Sequence, residues 1–196
     1  VELKARLLAL IQREIDRSTP ERPGLIIAKM NSLADQEMID ALYRASQAGV
    51  RVQLNVRGIC QLVPGVAGMS ERITVVSVID RYLEHARAFW FENGGDGELY
   101  LSSADWMNRN LDRRVELMFP VLQESIRTEI LSALRLYFAD NVKAHALGPD
   151  GAWARRQCGK GEKRVRAQEA LYEAERKRKE MSDREPQREF VVRRAD

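Results

Sequence analysis

Residues 25–56 read LIIAKMNSLADQEMIDALYRASQAGVRVQLNV, and three elements can be parsed from them. Leu25 to Met30 is a short apolar run with β-branched residues, the pattern of a strand buried on both faces. Ser32, with Asp35 three residues on, reads as a helix cap. Met38, Ile39, Leu42 and Tyr43 follow at helical spacing, and Gly49 closes the segment. VRVQLNV then alternates, placing Val52, Leu54 and Val56 on one face. Strand, helix and strand in this order predict a parallel pair joined by a crossover.

The flanking sequence extends the pattern. Upstream, Leu3, Leu7, Leu10, Ile11 and Ile15 fall on one face of a helix that ends before Ser18–Pro20. Downstream, the glycine- and proline-bearing stretch RGICQLVPGVAGMSER reads as a loop, followed by a strand in ITVVSVI. ARAFWFE and ELYLSS flank Asn93–Gly94–Gly95–Asp96–Gly97, a strong hairpin signal. RRVELMFPV reads as a further strand, and Ile126, Ile130, Leu134 and Tyr137 mark a helix in ESIRTEILSALRLYFAD. Early helix–strand alternation followed by hairpins predicts a mixed-sheet α/β sandwich with covering helices.

Composition excludes several classes. With 44% hydrophobic residues, the 196-residue chain can build one substantial core, and 12 Gly and 6 Pro exclude a collagen-like or low-complexity chain. No run approaches the roughly 20 apolar residues of a membrane span. The start, VELKARLLALIQREI, lacks the apolar block of a secretion signal, so a cytoplasmic location is expected. Cys60 and Cys158 stand alone, signalling neither a disulfide framework nor a zinc site. The net charge of +3 is unevenly spread, −2 over residues 1–154 and +5 over 155–196. Residues 1–154 therefore read as the folded body and 155–196 as a basic, partly helical tail, helical in VRAQEALYEAERKRKE and fading in DREPQREF at Pro186. Because the excess belongs to the tail, a nucleic-acid partner is not expected.

The candidate site residues cluster around strand ends. Arg57 follows the second strand, Arg81, His85 and Arg87 precede or open the hairpin, and Arg109, Arg113 and Arg114 follow it. Side chains at strand termini converge on a crevice in α/β sheets. Guanidiniums are always charged and fork onto phosphate oxygens, while an imidazole can give or take a proton at neutral pH. The alternative is ordinary ion pairing with Glu84, Glu92, Asp105, Asp112 and Glu116. Lys29 can reach the same crevice, Ser102 and Ser103 can donate to phosphate, and Asn108 and Asn110 flank Arg109 in an expected loop where a site role and turn chemistry both fit, whereas Phe89, Trp90 and Phe91 read as packing and Trp106 as packing or substrate contact. His145, in KAHALG, has no basic residue two positions on.

His85–Ala86–Arg87 with Glu92 reads H-x-R-x4-E, and Ser102–Ser103–Ala104–Asp105 follows on the next strand. This resembles the H-x-K-x4-D motif of the phospholipase D superfamily, with Arg for Lys and Glu for Asp. Over longer stretches, IIAKMNSLAD, ALYRASQAGVRV, VRGIC, PGVAGMSERITV, RYLEHARAFWFENGG and LYLSSADWMNRNLDRRVE are similar, in order, to the C-terminal region of bacterial polyphosphate kinases. That resemblance implies a phospholipase-D-like fold and reversible transfer of the terminal phosphate of ATP to inorganic polyphosphate, through a phosphohistidine and with magnesium. It implies that His85 is the acid or base opposite the nucleophile. Phosphate contact follows for Arg57 and is extended to Arg81, Arg87, Arg109, Arg113 and Ser103, with orienting roles for Glu92 and Asp105. No metal ligand can be named. ATP/ADP and polyphosphate are the implied partners, together with the preceding domains of a homo-oligomeric enzyme. Those domains, including the nucleophile-bearing half, are expected to lie outside this chain, leaving it nearly inactive alone. Two alternatives stay open, a homodimeric phospholipase-D-like diesterase or nuclease and a noncatalytic polyanion-binding module.

Overall fold

The computed structural model describes residues 3–182, so the expectation for DREPQREF lies outside the described residues. The elements are α1 (Leu3–Arg17), β1 (Leu25–Met30), α2 (Gln36–Gln47), β2 (Arg51–Val56), β3 (Ile73–Val78), β4 (Arg87–Phe91) and β5 (Glu98–Ser102). They continue with α3 (Asn108–Arg113), β6 (Met118–Pro120), α4 (Glu124–Ala139), β7 (Ala144–Leu147), β8 (Trp153–Arg155) and α5 (Ala167–Ser182). All eight strands form one mixed sheet in the order β6-β5-β4-β1-β2-β3-β7-β8.

β1, β2 and β3 are parallel, and β4, β5, β6, β7 and β8 are added antiparallel. The expected crossover is α2. Every residue of β1 is buried, as a central strand covered on both faces requires. Its alternate side chains enter different cores. Ile26, Ala28 and Met30 join Leu7, Leu10, Ile11, Met38 and Leu42 under α1 and α2, together with Val52, Leu54 and Val56 of β2. Leu25 and Ile27 join Trp90, Leu99, Leu131 and Leu134 under α4. The sheet is thus sandwiched between helices, as the early alternation predicts.

The α2 cap and the strand in RRVELMFPV differ from the sequence reading. The cap of α2 is Asp35 rather than Ser32, because the Asp35 side chain accepts the Met38 N–H at 3.1 Å. RRVELMFPV forms strand only over Met118–Pro120. The Ser103 N–H donates to the Leu117 carbonyl at 3.0 Å, but the Leu117 N–H goes to the Ser103 hydroxyl at 2.9 Å. A side chain there replaces the main-chain acceptor, and the ladder stops.

The hairpin between β4 and β5 turns through Asn93–Gly95 and packs tightly. A Cβ at Gly97 would lie 2.1 Å from Trp90 Cζ2, so only glycine fits beneath that indole. This turn marks one end of the sheet. The other end collects the C-termini of β1, β2, β3 and β5 and the start of β4.

Candidate functional site

Three loops leave that second end and are stitched together beyond the sheet. Leu33 bridges both Cys60 and Trp106 in parallel register. The Leu33 N–H donates to the Ile59 carbonyl at 2.8 Å, and the Ala34 N–H to the Trp106 carbonyl at 2.8 Å. Trp106 is fully buried and tilted against Phe89, ring centroids 5.0 Å apart, so its role is packing. Phe89, Trp90 and Phe91 are likewise buried.

Asp105 is the hub of this platform. Its Oδ1 accepts the Asn31 and Ser32 backbone N–H groups at 2.7 and 3.2 Å and the Arg87 Nε–H at 3.2 Å. Its Oδ2 accepts Arg87 Nη2 at 2.9 Å. Burial alone raises a carboxyl pKa, but the Arg87 fork and the two amides outweigh it and hold Asp105 below the ordinary aspartate value. Asn31 extends the chain of bonds, because its Oδ1 accepts Arg57 Nε and Nη2 at 3.2 and 2.9 Å. Arg87 Nη1 donates to the His85 carbonyl at 2.9 Å. Arg57, Asn31, Asp105, Arg87 and the main chain of His85 are therefore one hydrogen-bonded series. His85 itself precedes β4 rather than lying on it, and it is exposed.

A second polar cluster holds the loop carrying His85. Glu84 takes Lys29 Nζ at 3.0 Å, the Tyr137 hydroxyl at 2.6 Å and Gln168 Nε2 at 2.8 Å. Burial, with Glu84 as its acceptor, pushes the Tyr137 hydroxyl pKa well above the usual tyrosine value. Gln168 is only 4% exposed and grips the Tyr82 backbone in both directions, accepting its N–H at 2.7 Å and donating to its carbonyl at 2.8 Å. Beside it, Arg166 forks onto Asp80 with two 2.7 Å bonds, holding that carboxyl below its ordinary value. The start of α5 is thus bonded to the segment that leads into His85.

The remaining candidates divide by position. Ser103 is exposed beside β4, its hydroxyl bonded to Glu116, which also accepts Asn110 Nδ2 at 2.6 Å. Those donors, the Ser103 hydroxyl first, keep the Glu116 carboxyl low. Ser102 Oγ donates to the Leu117 carbonyl at 2.8 Å. Arg109 and Arg113 are exposed on α3, a short helix where a loop is expected, and Arg81 is exposed with its guanidinium 5.5 Å from the Tyr82 ring. Glu92 accepts the Trp90 indole N–H at 3.0 Å. It follows the far end of β4, about 17 Å from Arg87 by strand rise. His145 is exposed on β7. Among the described residues, Arg57, Arg81, Arg109 and Arg113 have no carboxylate within ion-pair distance, whereas Arg87 has Asp105. Asn31 and Gln168 carry no motif that marks them as parts of this end of the sheet, and Glu84 and Tyr137 read in the sequence only as an ion-pair partner and a helix marker.

Magnesium can be tested against these donors. Among the described residues no three His, Cys, Asp or Glu side chains gather where they could hold a metal ion, and Asp105 is already occupied by four donors. The described residues offer no ready-made cluster of protein ligands for a magnesium ion.

The eight-stranded mixed sheet with its covering helices has a phospholipase-D-like fold. Nuc of Salmonella typhimurium, a phospholipase D family member, shares the fold at TM-score 0.51 over 78% of this chain and 90% of its own, with 13% identity. The chain belongs to the polyphosphate kinase family, since the model described as polyphosphate kinase C-terminal domain 2 matches residues 1–168. It is 52% identical to the polyphosphate kinase of Rhodopirellula baltica over 99% of this chain and 23% of that protein. The polyphosphate kinase of Pseudomonas aeruginosa is 51% identical over 78% of this chain and 22% of its own length. The crystal structure of polyphosphate kinase from Porphyromonas gingivalis superposes at TM-score 0.86 and 41% identity, covering 91% of this chain and 27% of that one. The chain therefore spans about a quarter of the length of the relatives it matches.

Proposed function

We propose that this domain forms one half of a phosphoryl-transfer site that exchanges phosphate between ATP and inorganic polyphosphate. Arg57 and Arg87 seat phosphate oxygens, Arg81, Arg109, Arg113 and Ser103 extend the seat, and His85 gives and takes the proton. Asp105 orients Arg87, and Glu92 supports the far end of the same strand. The attacking histidine belongs to a preceding domain. The observation that carries this reading is the hydrogen-bonded series from Arg57 through Asn31, Asp105 and Arg87 to the His85 carbonyl. It ties two guanidiniums to the main chain of exposed His85, and among the described residues no hydrogen bond engages the imidazole. Arg57 in particular is held by an amide oxygen rather than a carboxylate, so its charge stays available to an anion.

Phosphoryl transfer needs a nucleophile, a proton manager and cationic stabilisation in place together. This chain supplies the last two, so ATP-dependent synthesis by it alone is expected to be negligible while polyphosphate binding persists. Magnesium, implied by the family, finds no ready-made cluster of ligands among the described residues, and no step is drawn through it.

The test is tripolyphosphate binding by calorimetry. Losing one forked arginine–phosphate contact costs about 1.5–3 kcal/mol, so Arg57→Ala should weaken binding roughly 10–100-fold with the fold intact. Binding unchanged by Arg57→Ala defeats the proposal. Cleavage of a phosphodiester by the chain, with no affinity for polyphosphate, would instead favour the diesterase alternative.

A further inference from the structure

Residues 155–166, RRQCGKGEKRVR, carry six basic side chains and one acidic. The registers Val78↔Ala144 and His145↔Arg155 bring the start of this segment to the same end of the sheet at which β2 delivers Arg57. There a depression of about 310 Å³ is lined by Asn141, Arg155, Arg156, Cys158 and Arg164. Arg155 donates through Nε and Nη2 to the Val142 carbonyl at 3.3 and 2.9 Å, and Arg156 Nη1 donates to the Phe138 carbonyl. Buried Asn141 pins both neighbours of Arg164, donating to the Lys163 carbonyl at 3.0 Å and accepting the Val165 N–H at 2.8 Å. The one acid, Glu162, is engaged in its own turn, where it accepts the Gly159 N–H at 2.9 Å.

Among the described residues none of Arg155, Arg156 and Arg164 has a carboxylate within 4.0 Å, and neutral carbonyls anchor two of them. Three guanidiniums at one hollow repel each other unless an anion joins them, and each retains N–H groups for it. We propose that this hollow is a second polyanion subsite that takes phosphates of a long polyphosphate chain beyond those held near His85. The assignment rests on the phosphate-binding reading of that first site. No aromatic side chain lines the hollow to stack a base, which favours inorganic polyphosphate over nucleic acid. β2 and β8 are three strand spacings apart in the sheet, about 14 Å, along one edge. Between them Asp80 is neutralised by Arg166 and Lys143, so it does not bar an anionic chain.

Cys158 is an exposed thiol in the lining, and it provides the test. Alkylation of Cys158 is followed by peptide mass spectrometry with and without long-chain polyphosphate, comparing rates within each variant. Long-chain polyphosphate should slow Cys158 alkylation roughly tenfold. Tripolyphosphate, too short to reach from one subsite to the other, should not slow it at concentrations that fill the first subsite. Arg155→Ala/Arg164→Ala should abolish the protection, with half-buried Cys60 reacting at its unchanged rate to report an intact fold. Equal Cys158 rates with and without long-chain polyphosphate, or protection that survives the double variant, overturn the proposal. Protection that survives Arg57→Ala while tripolyphosphate binding fails in the unaltered chain would uphold this subsite and reject the one at His85.

Discussion

Replacing Asp105 by alanine removes the acceptor of four hydrogen bonds at once, two from Arg87 and one each from the Asn31 and Ser32 backbones. Asp105 is 7% exposed, so the two amides lose their partner in a dry setting. Breaking a buried ion pair from one side costs about 3–5 kcal/mol, and because the Arg87 side chain keeps some water the lower end, about 3 kcal/mol, is expected. With a urea slope of about 2 kcal/mol per M, the midpoint should fall by about 1.5 M. The loss depends on pH. A carboxyl whose folded pKa lies below its unfolded value stabilises the fold above the unfolded pKa, and that contribution vanishes as pH falls through the folded value. The unaltered chain and Asp105→Ala should therefore differ fully near pH 7 and converge below about pH 4. In a double-mutant cycle, Arg87→Ala/Asp105→Ala should cost about 1–3 kcal/mol less than the two single changes together. Tripolyphosphate affinity should fall with Asp105→Ala as Asn31 and Arg87, which hold Arg57 and the His85 carbonyl, lose their common anchor. A stability loss under about 1 kcal/mol together with unchanged affinity would refute the role of Asp105 as the hub.

Gly97→Ala drives a methyl into the Trp90 ring, and equilibrium unfolding should show a loss of about 2 kcal/mol or more. Gln168→Ala frees the Tyr82 N–H, so hydrogen exchange at that amide should speed up by about fivefold while the amides of β1 stay protected. Tyr137→Phe removes one of three donors to Glu84 and should cost about 1 kcal/mol by the same unfolding assay, with Lys29 and Gln168 still in place.

The central part of the fold could be read directly because its signals are local. Apolar alternation in β1 and β2, the helical period of α2 and the glycine-rich turn after β4 each follow from a few consecutive residues. β7 and β8 did not stand out, since AHAL and WAR are too short to show a period and owe their pairing to β3. The six residues of α3 lie in a stretch rich in Asn and Asp that reads as turn chemistry. At the site, His85 and the arginines stood out through charge and motif spacing. Asn31 and Gln168 did not, because an amide that both donates and accepts leaves no mark on composition or period, and its partners lie up to 86 residues away.

Titrating tripolyphosphate into the isotopically labelled chain while following the His85 ring resonances tests the central claim most directly. The account predicts saturable shifts at His85 and at the Arg57 and Arg87 side chains with one shared affinity, all weakened together in Arg57→Ala. Shifts absent from His85, or present there but indifferent to Arg57→Ala, would mean that the imidazole and the guanidiniums do not share a phosphate.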